Sequence, residues 1–194
     1  MLAAANGDYP VYYPKEGWAE QNPEEWWSAV CGAVRQVIEE ASVAPEEIAG
    51  VGIDGQSWSA IAIDRNGHVL TNTPIWMDTR AQSICDRLNE EIGAEAIFEV
   101  AGNSLQPSYA TAKILWYKEN LPEVYAKIDK ILQSNSFIAF KLTGAVSQDL
   151  SQGYGLHCFD MRTGKWNEAM CEKLGDPCRI FCRKSSHVTM LWEQ

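Results

Sequence analysis

The chain has 194 residues, of which 46% are hydrophobic and 10% aromatic, enough for one globular domain with a substantial core. Its net charge of −10 comes without any Lys or Arg cluster, so it lacks the basic surface that nucleic acids and anionic membranes require. No segment approaches the roughly 20 consecutive apolar residues of a membrane span, and Met1 to Tyr9 lack the pattern of a secretory signal. We therefore expect a cytoplasmic protein with neither a nucleic-acid nor a membrane partner.

The cysteines are scattered, and none forms a Cys-x-x-Cys pair. The closest spacing joins Cys178 and Cys182. Because a zinc site needs closely spaced ligand pairs, we predict free thiols and no metal site.

The first predicted helix starts after Asn22, whose side chain suits an N-cap, with Pro23 at the first helical position. Apolar residues then recur at helical spacing to near Ala41. They predict a buried face, formed by Trp26, Trp27, Val30, Val34, Val37 and Ile38.

Two strands are predicted next, on either side of a break at Gly55 to Ser57. Ile48 to Asp54 is predicted to be a buried strand, and Ala60 to Asp64 a second one. The sequence from Asp64 to Gly67 predicts a hairpin turn after that strand.

The rest of the chain is predicted to be mostly helical. A short apolar piece ends at Trp76, and a helix is predicted from about Asp78 to Ile92. Further predictions are a strand near residue 131 and helices over 95–100, 111–119, 122–128, 134–142 and 166–174. Early strands followed by many helices indicate an α/β fold with a helical elaboration.

The segment from Gly50 to Gly55 has the spacing Gly-x-Gly-x-x-Gly of dinucleotide-binding loops. That loop needs a helix N-terminus directly after it to hold the pyrophosphate, whereas a strand is predicted here. We interpret these glycines as residues that allow close packing over a strand.

Ser57 lies in a segment one residue short of the Gly-x-Ser-x-Gly motif of serine hydrolases. In those enzymes the serine occupies a tight turn between a strand and a helix, and a histidine acts as its base. Ser57 is predicted to lie between two strands, and His157 has no partner that the sequence identifies. A hydrolase that uses Ser57 remains an alternative from another enzyme class.

The segment from Trp76 to Arg80 places an aromatic residue, a carboxylate and a guanidinium where a strand end meets a helix start. One interpretation is structural, with Asp78 as a helix cap and Trp76 in the core. The other is a sugar site, because hydroxyl groups suit the carboxylate and an amide such as Gln56, and sugar C–H faces stack on Trp.

Several segments in the same order resemble the FGGY carbohydrate kinases, and within them the xylulokinase-like members. Residues 17–27 are similar to the family's Trp-x-Glu-Gln-x-Pro-x-x-Trp-Trp segment. Residues 52–58 and 74–81 are similar to two strand ends that meet the sugar, and residues 102–116 to the first family signature. The resemblance is collinear over about residues 9–174.

The resemblance implies a ribonuclease-H-like fold of the actin and hexokinase type, with sugar and ATP in a cleft between two such domains. The polar pattern and the resemblance together place six residues at the sugar: Gln56, Ser57, Trp58, Trp76, Asp78 and Ser108. Ser57 and Trp58 stand where xylulokinases usually have Met-His, which leaves the exact sugar open.

The same resemblance implies ATP and Mg²⁺ as cofactors of the complete enzyme. The family's Asp-x-Gly-Thr phosphate hairpin is absent from the sequence, and its catalytic aspartate is expected beyond Leu174. Because phosphoryl transfer needs both parts, we expect no catalytic, nucleotide-binding or metal-binding residue in this chain. Residues 1–174 are thus interpreted as a truncated, inactive sugar-binding domain, and 175–194 as an irregular tail that need not belong to the fold.

The function implied for the complete enzyme is ATP-dependent phosphorylation of a ketose such as D-xylulose, or of a related polyol, in a protein that could form a homodimer. A non-catalytic fragment that binds a sugar or a protein partner is the second alternative.

Overall fold

The structure is a computed structural model that describes residues 1–175 and residue 180. Its helices are α1 (Pro23–Ala41), α2 (Gln82–Leu88), α3 (Ala94–Ala101), α4 (Ala110–Asn120), α5 (Pro122–Tyr125), α6 (Ser134–Thr143) and α7 (Glu168–Lys173). Its strands are β1 (Glu20–Gln21), β2 (Ile61–Ile63), β3 (Thr73–Pro74), β4 (Lys130–Leu132), β5 (Phe159–Asp160) and β6 (Lys165–Trp166). Short 3₁₀ helices cover Pro45–Glu47 and Leu150–Gly155, and a π-helix covers Asn89–Gly93.

The antiparallel ladder of β2 and β4 lies between two layers of helices. Ile61 pairs with Leu132, and Ile63 pairs with Lys130. Alternate side chains of a strand point to opposite faces: Ile61 and Ile63 join one apolar cluster with Phe137, while the alanines beside them join another with α2, α4 and α7. Helices thus cover both faces of the ladder, which confirms the predicted α/β organisation.

Helix α1 confirms the predicted cap but not the predicted buried face. The Asn22 side chain accepts a hydrogen bond from the Glu24 backbone N–H at 3.0 Å, and Pro23 occupies the first turn. Only Pro23 and Trp26 of the helix are buried, and Val34 is exposed. Trp27 and Val30 are partly buried against the cluster that contains Phe137, so the apolar face is only partly covered.

The predicted buried strand from Ile48 to Asp54 is wrong. The segment forms no strand, Val51 is 71% exposed, and residues 49–57 make no backbone–backbone hydrogen bond within the described chain. A strand needs a neighbour, which apolar periodicity alone does not reveal. The close packing predicted for its glycines holds only at Gly55, which lies against Ser134, since a Cβ at Gly50 would meet nothing within 4 Å.

The second predicted strand is confirmed as β2, and the turn after it as well. The Gly67 backbone N–H donates to the Asp64 carbonyl at 3.0 Å. The returning chain makes an isolated bridge, from Val69 to Ile63, on one edge of β2, and β4 pairs with the other edge.

The remaining predicted helices are all present, with some changes of extent. The helix predicted from Asp78 begins at Gln82, because residues 78–80 form a hydrogen-bonded turn against the 17–20 segment. The helix predicted over 166–174 begins at Glu168, because Trp166 pairs with Phe159 in a short ladder. The predicted tail lies almost entirely outside the described residues.

None of the helices in the described part of the chain combines the length and apolar character of a bilayer span. Cys31 and Cys85 are free thiols, as predicted, but Cys171 is disulfide-bonded, which contradicts the expectation of a free thiol at that position.

Candidate functional site

The turn from Gly55 to Trp58 is held in an unusual backbone conformation. Trp58 has φ of 67°, in the left-handed region that costs a non-glycine residue about 1–2 kcal/mol. Its backbone N–H donates to Gln133 Oε1 at 2.9 Å, and its carbonyl accepts from Lys113 Nζ at 2.7 Å. These two bonds fix the turn from opposite sides.

Gln56 lies in the same turn and is held by two further contacts. Its carbonyl accepts from Ser134 Oγ at 2.6 Å, and its side-chain Nε2 donates to Gln21 Oε1 at 2.8 Å. The Gln56 amide therefore retains its own oxygen for other partners, while its backbone is anchored to the start of α6.

The Trp58 ring belongs to an aromatic cluster. Its centroid lies 4.6 Å from that of Tyr109 and 6.3 Å from that of Tyr154. Gly155 faces the indole so closely that a Cβ there would approach Trp58 Cδ1 to 2.6 Å. The indole ring is therefore packed in one orientation between Tyr109 and Gly155.

The second strand end, from Trp76 to Arg80, has one exposed residue and two buried ones. Trp76 is 53% exposed, so the structural interpretation that placed it in the core is wrong. The Asp78 side chain is fully buried and that of Arg80 is 4% exposed. Only Trp76 of the three presents its side chain to solvent.

Both carboxylate oxygens of Asp78 are engaged within the protein. They accept from the Ala19 backbone N–H at 2.7 Å and from the Arg80 backbone N–H and Nε, each at 2.9 Å. Asp78 thus stabilises its own turn and forms an ion pair with Arg80 beside the site. It does not cap α2, whose N-cap is Ala81, so the interpretation of Asp78 as a helix cap is wrong.

Arg80 connects this strand end with the N-terminal segment. Its guanidinium binds Glu20 at 2.8 Å and lies over the Trp18 ring at 3.9 Å, with Trp116 on another side at 5.0 Å. Burial lowers the pKa of Arg80, but the bonds to Asp78 and Glu20 outweigh it and leave the pKa raised. The cation is therefore a fixed part of the scaffold.

A groove of about 430 Å³ opens at this strand end. It is lined by Trp76, Asp78, Thr79, Gln82 and residues 105–108, which include Ser108. Three of the six predicted sugar residues, Trp76, Asp78 and Ser108, are thus brought together. Gln56, Ser57 and Trp58 do not line the groove; Trp58 adjoins it through Tyr109, the neighbour of Ser108.

Lys113 is a buried residue near the site that the sequence analysis did not identify. It lies on α4 at 0% exposure, between the Trp58 turn and the charges of Asp78 and Arg80. Burial lowers its pKa to about 7; Asp78 raises it and Arg80 lowers it further. The one sequence feature that could have identified it is a lysine within an otherwise apolar stretch of α4.

The described residues do not form a serine-hydrolase site. No hydrogen bond of Ser57 Oγ is present in the described part of the chain. His157 is fully buried, and its Nε2 lies 3.1 Å from the Ser104 carbonyl, so this nitrogen is the proton donor. Burial lowers the pKa of His157 to about 4. Nothing in this geometry supports the hydrolase alternative.

The chain matches the FGGY family of carbohydrate kinases, N-terminal domain, over residues 1–189. It is 28% identical to a xylulose kinase of Bacillus subtilis, over 90% of the chain and 35% of the relative. It is 30% identical to a glycerol kinase of Thermococcus gammatolerans, over 97% of the chain and 39% of the relative. The chain thus spans somewhat more than a third of the length of these relatives.

The fold is similar to that of solved sugar kinases of the actin and hexokinase type. A crystal structure described as a xyloylose kinase from Brucella ovis superposes with a TM-score of 0.80 at 27% identity. The match covers 90% of this chain and 35% of that one. The fold expected from the sequence is thereby confirmed.

Proposed function

This chain belongs to the FGGY family of carbohydrate kinases, and on that premise we propose that its groove at Trp76 binds the sugar to be phosphorylated. The proposed substrate is a ketose such as D-xylulose, or a related polyol. The observation that supports the proposal most is the convergence of Trp76, Asp78 and Ser108 in one groove.

The lining of the groove suits a polyol for simple chemical reasons. The half-exposed Trp76 ring offers a face on which sugar C–H groups stack, and the Ser108 hydroxyl and Gln82 amide are partners for sugar hydroxyls. The buried bonds of Asp78 and Arg80 keep this wall rigid, which reduces the ordering that binding would otherwise require. We assign Asp78 the role of orienting the wall.

We place Gln56, Ser57 and Trp58 at the margin of the same site, where they would contact a longer or differently oriented sugar. The Gln56 side-chain oxygen is an acceptor for a hydroxyl, and Trp58 adds an aromatic edge beside Tyr109. Because Ser57 has no hydrogen-bond partner among the described residues, its hydroxyl is also available.

The described residues do not fit a magnesium–ATP site. The groove's one carboxylate, Asp78, already has both oxygens engaged, and no group of three metal-ligating side chains occurs in the described part of the chain. A kinase also needs a base near the sugar hydroxyl, and the groove holds none that is free. We therefore propose that this chain binds and orients the sugar but does not transfer phosphate alone.

The Trp76 to Ala variant tests the proposal directly. Isothermal titration of the wild type with D-xylulose, other ketoses and glycerol should show saturable binding of at least one of them. The ligand that binds best should bind about tenfold more weakly to W76A, since a stacking face is lost. Phe98 to Ala is the control, because Phe98 is 50% exposed on α3 and lies outside the groove lining.

The sugar site would be refuted if the wild type bound no member of the panel. It would also be refuted if W76A and the wild type bound with equal affinity. The best ligand is then assayed with magnesium–ATP for ADP release. We expect none from this chain, and turnover above background would refute the proposed division of labour.

A further inference from the structure

The Lys113 ammonium is buried and has no salt-bridge partner among the described residues. Its side chain is at 0% exposure, and its single hydrogen bond in the described chain is the 2.7 Å bond from Nζ to the Trp58 carbonyl. Burial of an ammonium group is unfavourable unless its hydrogen bonds compensate for the lost hydration. An apolar side chain would avoid this cost, so the lysine at this position needs another explanation.

The position of Lys113 supplies one. The carbonyl that it binds belongs to Trp58, a non-glycine residue with φ of 67°. A donor on that carbonyl stabilises a backbone conformation that the residue would otherwise avoid. The charge also lies close enough to Asp78 and Arg80 for both to affect its pKa. Lys113 thus binds the 55–58 turn and lies near the buried charges of the 76–80 strand end.

We propose that Lys113 is a positioning residue that fixes the Trp58 turn relative to the Trp76 groove and so sets the shape of the sugar site. Through the Trp58 backbone it orients the indole against Tyr109, the residue next to Ser108 in the groove wall. The part of this inference that concerns the sugar rests on the proposed function; the part that concerns the turn does not.

Tyr117 provides a matched control on the same helix. It lies one turn beyond Lys113, is equally buried, and donates from its hydroxyl to the Ala60 carbonyl at 3.1 Å. Lys113 and Tyr117 therefore bind two carbonyls of the same segment, those of Trp58 and Ala60. Ala60 adjoins the β2–β4 ladder and is neither a groove-lining residue nor a member of the aromatic cluster.

The test compares Lys113→Met, Lys113→Arg and Tyr117→Phe in the full chain. The first readout is the Trp58 contribution to the near-UV circular dichroism, obtained within each background by subtracting the spectrum of its Trp58→Phe counterpart. We expect Lys113→Met to lose most of this signal, Tyr117→Phe to keep it, and Lys113→Arg to restore part of it. A Trp58 signal unchanged in Lys113→Met, or lost equally in Tyr117→Phe, would overturn the inference.

The second readout is the dissociation constant of D-xylulose, or of the panel member that binds best. It should rise about tenfold in Lys113→Met, as expected for loss of a charged hydrogen bond, and less than about twofold in Tyr117→Phe. Equal affinities of Lys113→Met and wild type would overturn the link to the sugar site. If the wild type binds no sugar, the proposed function fails, whereas the dichroism still decides the role of Lys113 in the turn. If Lys113→Met does not fold, Lys113→Leu, which also lacks a donor, is measured in its place with the same expectations.

Discussion

Arg80 shows at the scale of one residue why the site is rigid. Its guanidinium has two carboxylate partners, Asp78 and Glu20, and two indole faces, Trp18 and Trp116. A planar cation can stack on rings and bind carboxylates through separate N–H groups, which an ammonium cannot do in the same space. The role of this position depends on guanidinium geometry as well as charge.

Replacement of Arg80 by Lys should lower the free energy of unfolding by about 2 kcal/mol, because the buried carboxylates keep a charge but lose their matched donors. The measurement is urea denaturation. The control is Arg87 to Lys, since Arg87 pairs with Glu119 at the surface, where both side chains are more than 40% exposed, and a change below about 0.5 kcal/mol is expected. Equal effects of the two variants would contradict the buried network.

His157 should make the stability of the fold depend on pH. Burial lowers its pKa from 6.5 to about 4 in the folded chain, so between these values the unfolded chain binds the extra proton. Stability therefore falls as the pH decreases from 7 to 4, by about 3 kcal/mol from this residue. Denaturation curves of wild type and His157→Gln check this, and parallel pH profiles of the two would contradict it.

At the scale of elements, the sequence predicted those whose formation is local. Helix α1 has its own cap in Asn22, and α4 and α6 have continuous helical sequence, so their positions followed from spacing. The segment from Ile48 to Asp54 has equally good strand sequence but forms none, because a strand requires a hydrogen-bonding neighbour. That information lies in the tertiary arrangement and not in the segment.

The residues of the candidate site likewise include some that the sequence predicted and some that only the structure identifies. Trp76 and Ser108 were predicted from the resemblance, and the groove contains both. The sequence left two interpretations of Asp78 open. In the structure its carboxylate accepts one hydrogen bond from Ala19, about sixty residues earlier in the chain, and another from Arg80 in its own turn. Lys113 was not identified, because its partner is a backbone carbonyl, which no side-chain pattern reveals.

Amide hydrogen exchange should distinguish the two strand predictions. The amides of residues 49–54 are expected to exchange without measurable protection, since they have no backbone partner among the described residues, whereas those of the β2–β4 ladder are protected. Mass spectrometry of peptic fragments can resolve the two regions. Equal protection of both would contradict the unpaired state of 49–54 and point to pairing with another chain.

At the scale of the whole molecule, the three-layer fold brings two distant chain segments to one edge. Gln133 and Ser134, directly after β4, hold the 55–58 turn. The 17–20 segment holds the 76–80 strand end through Arg80 and Asp78. Helix α4 lies against both through Lys113. The proposed sugar site is therefore a product of the fold, assembled from elements that are far apart in sequence.

The most direct test of the central claim is a titration of the indole N–H resonances by ¹⁵N NMR, with Trp76 assigned from a Trp76→Phe variant. D-xylulose, or the ketose or polyol that binds best, should shift the Trp76 resonance saturably and the Trp58 resonance to a lesser degree. Trp18 and Trp116, which enclose Arg80, should stay in place. A Trp76 resonance that no sugar or polyol moves, while the chain is folded, would contradict the assignment of this groove as the sugar site.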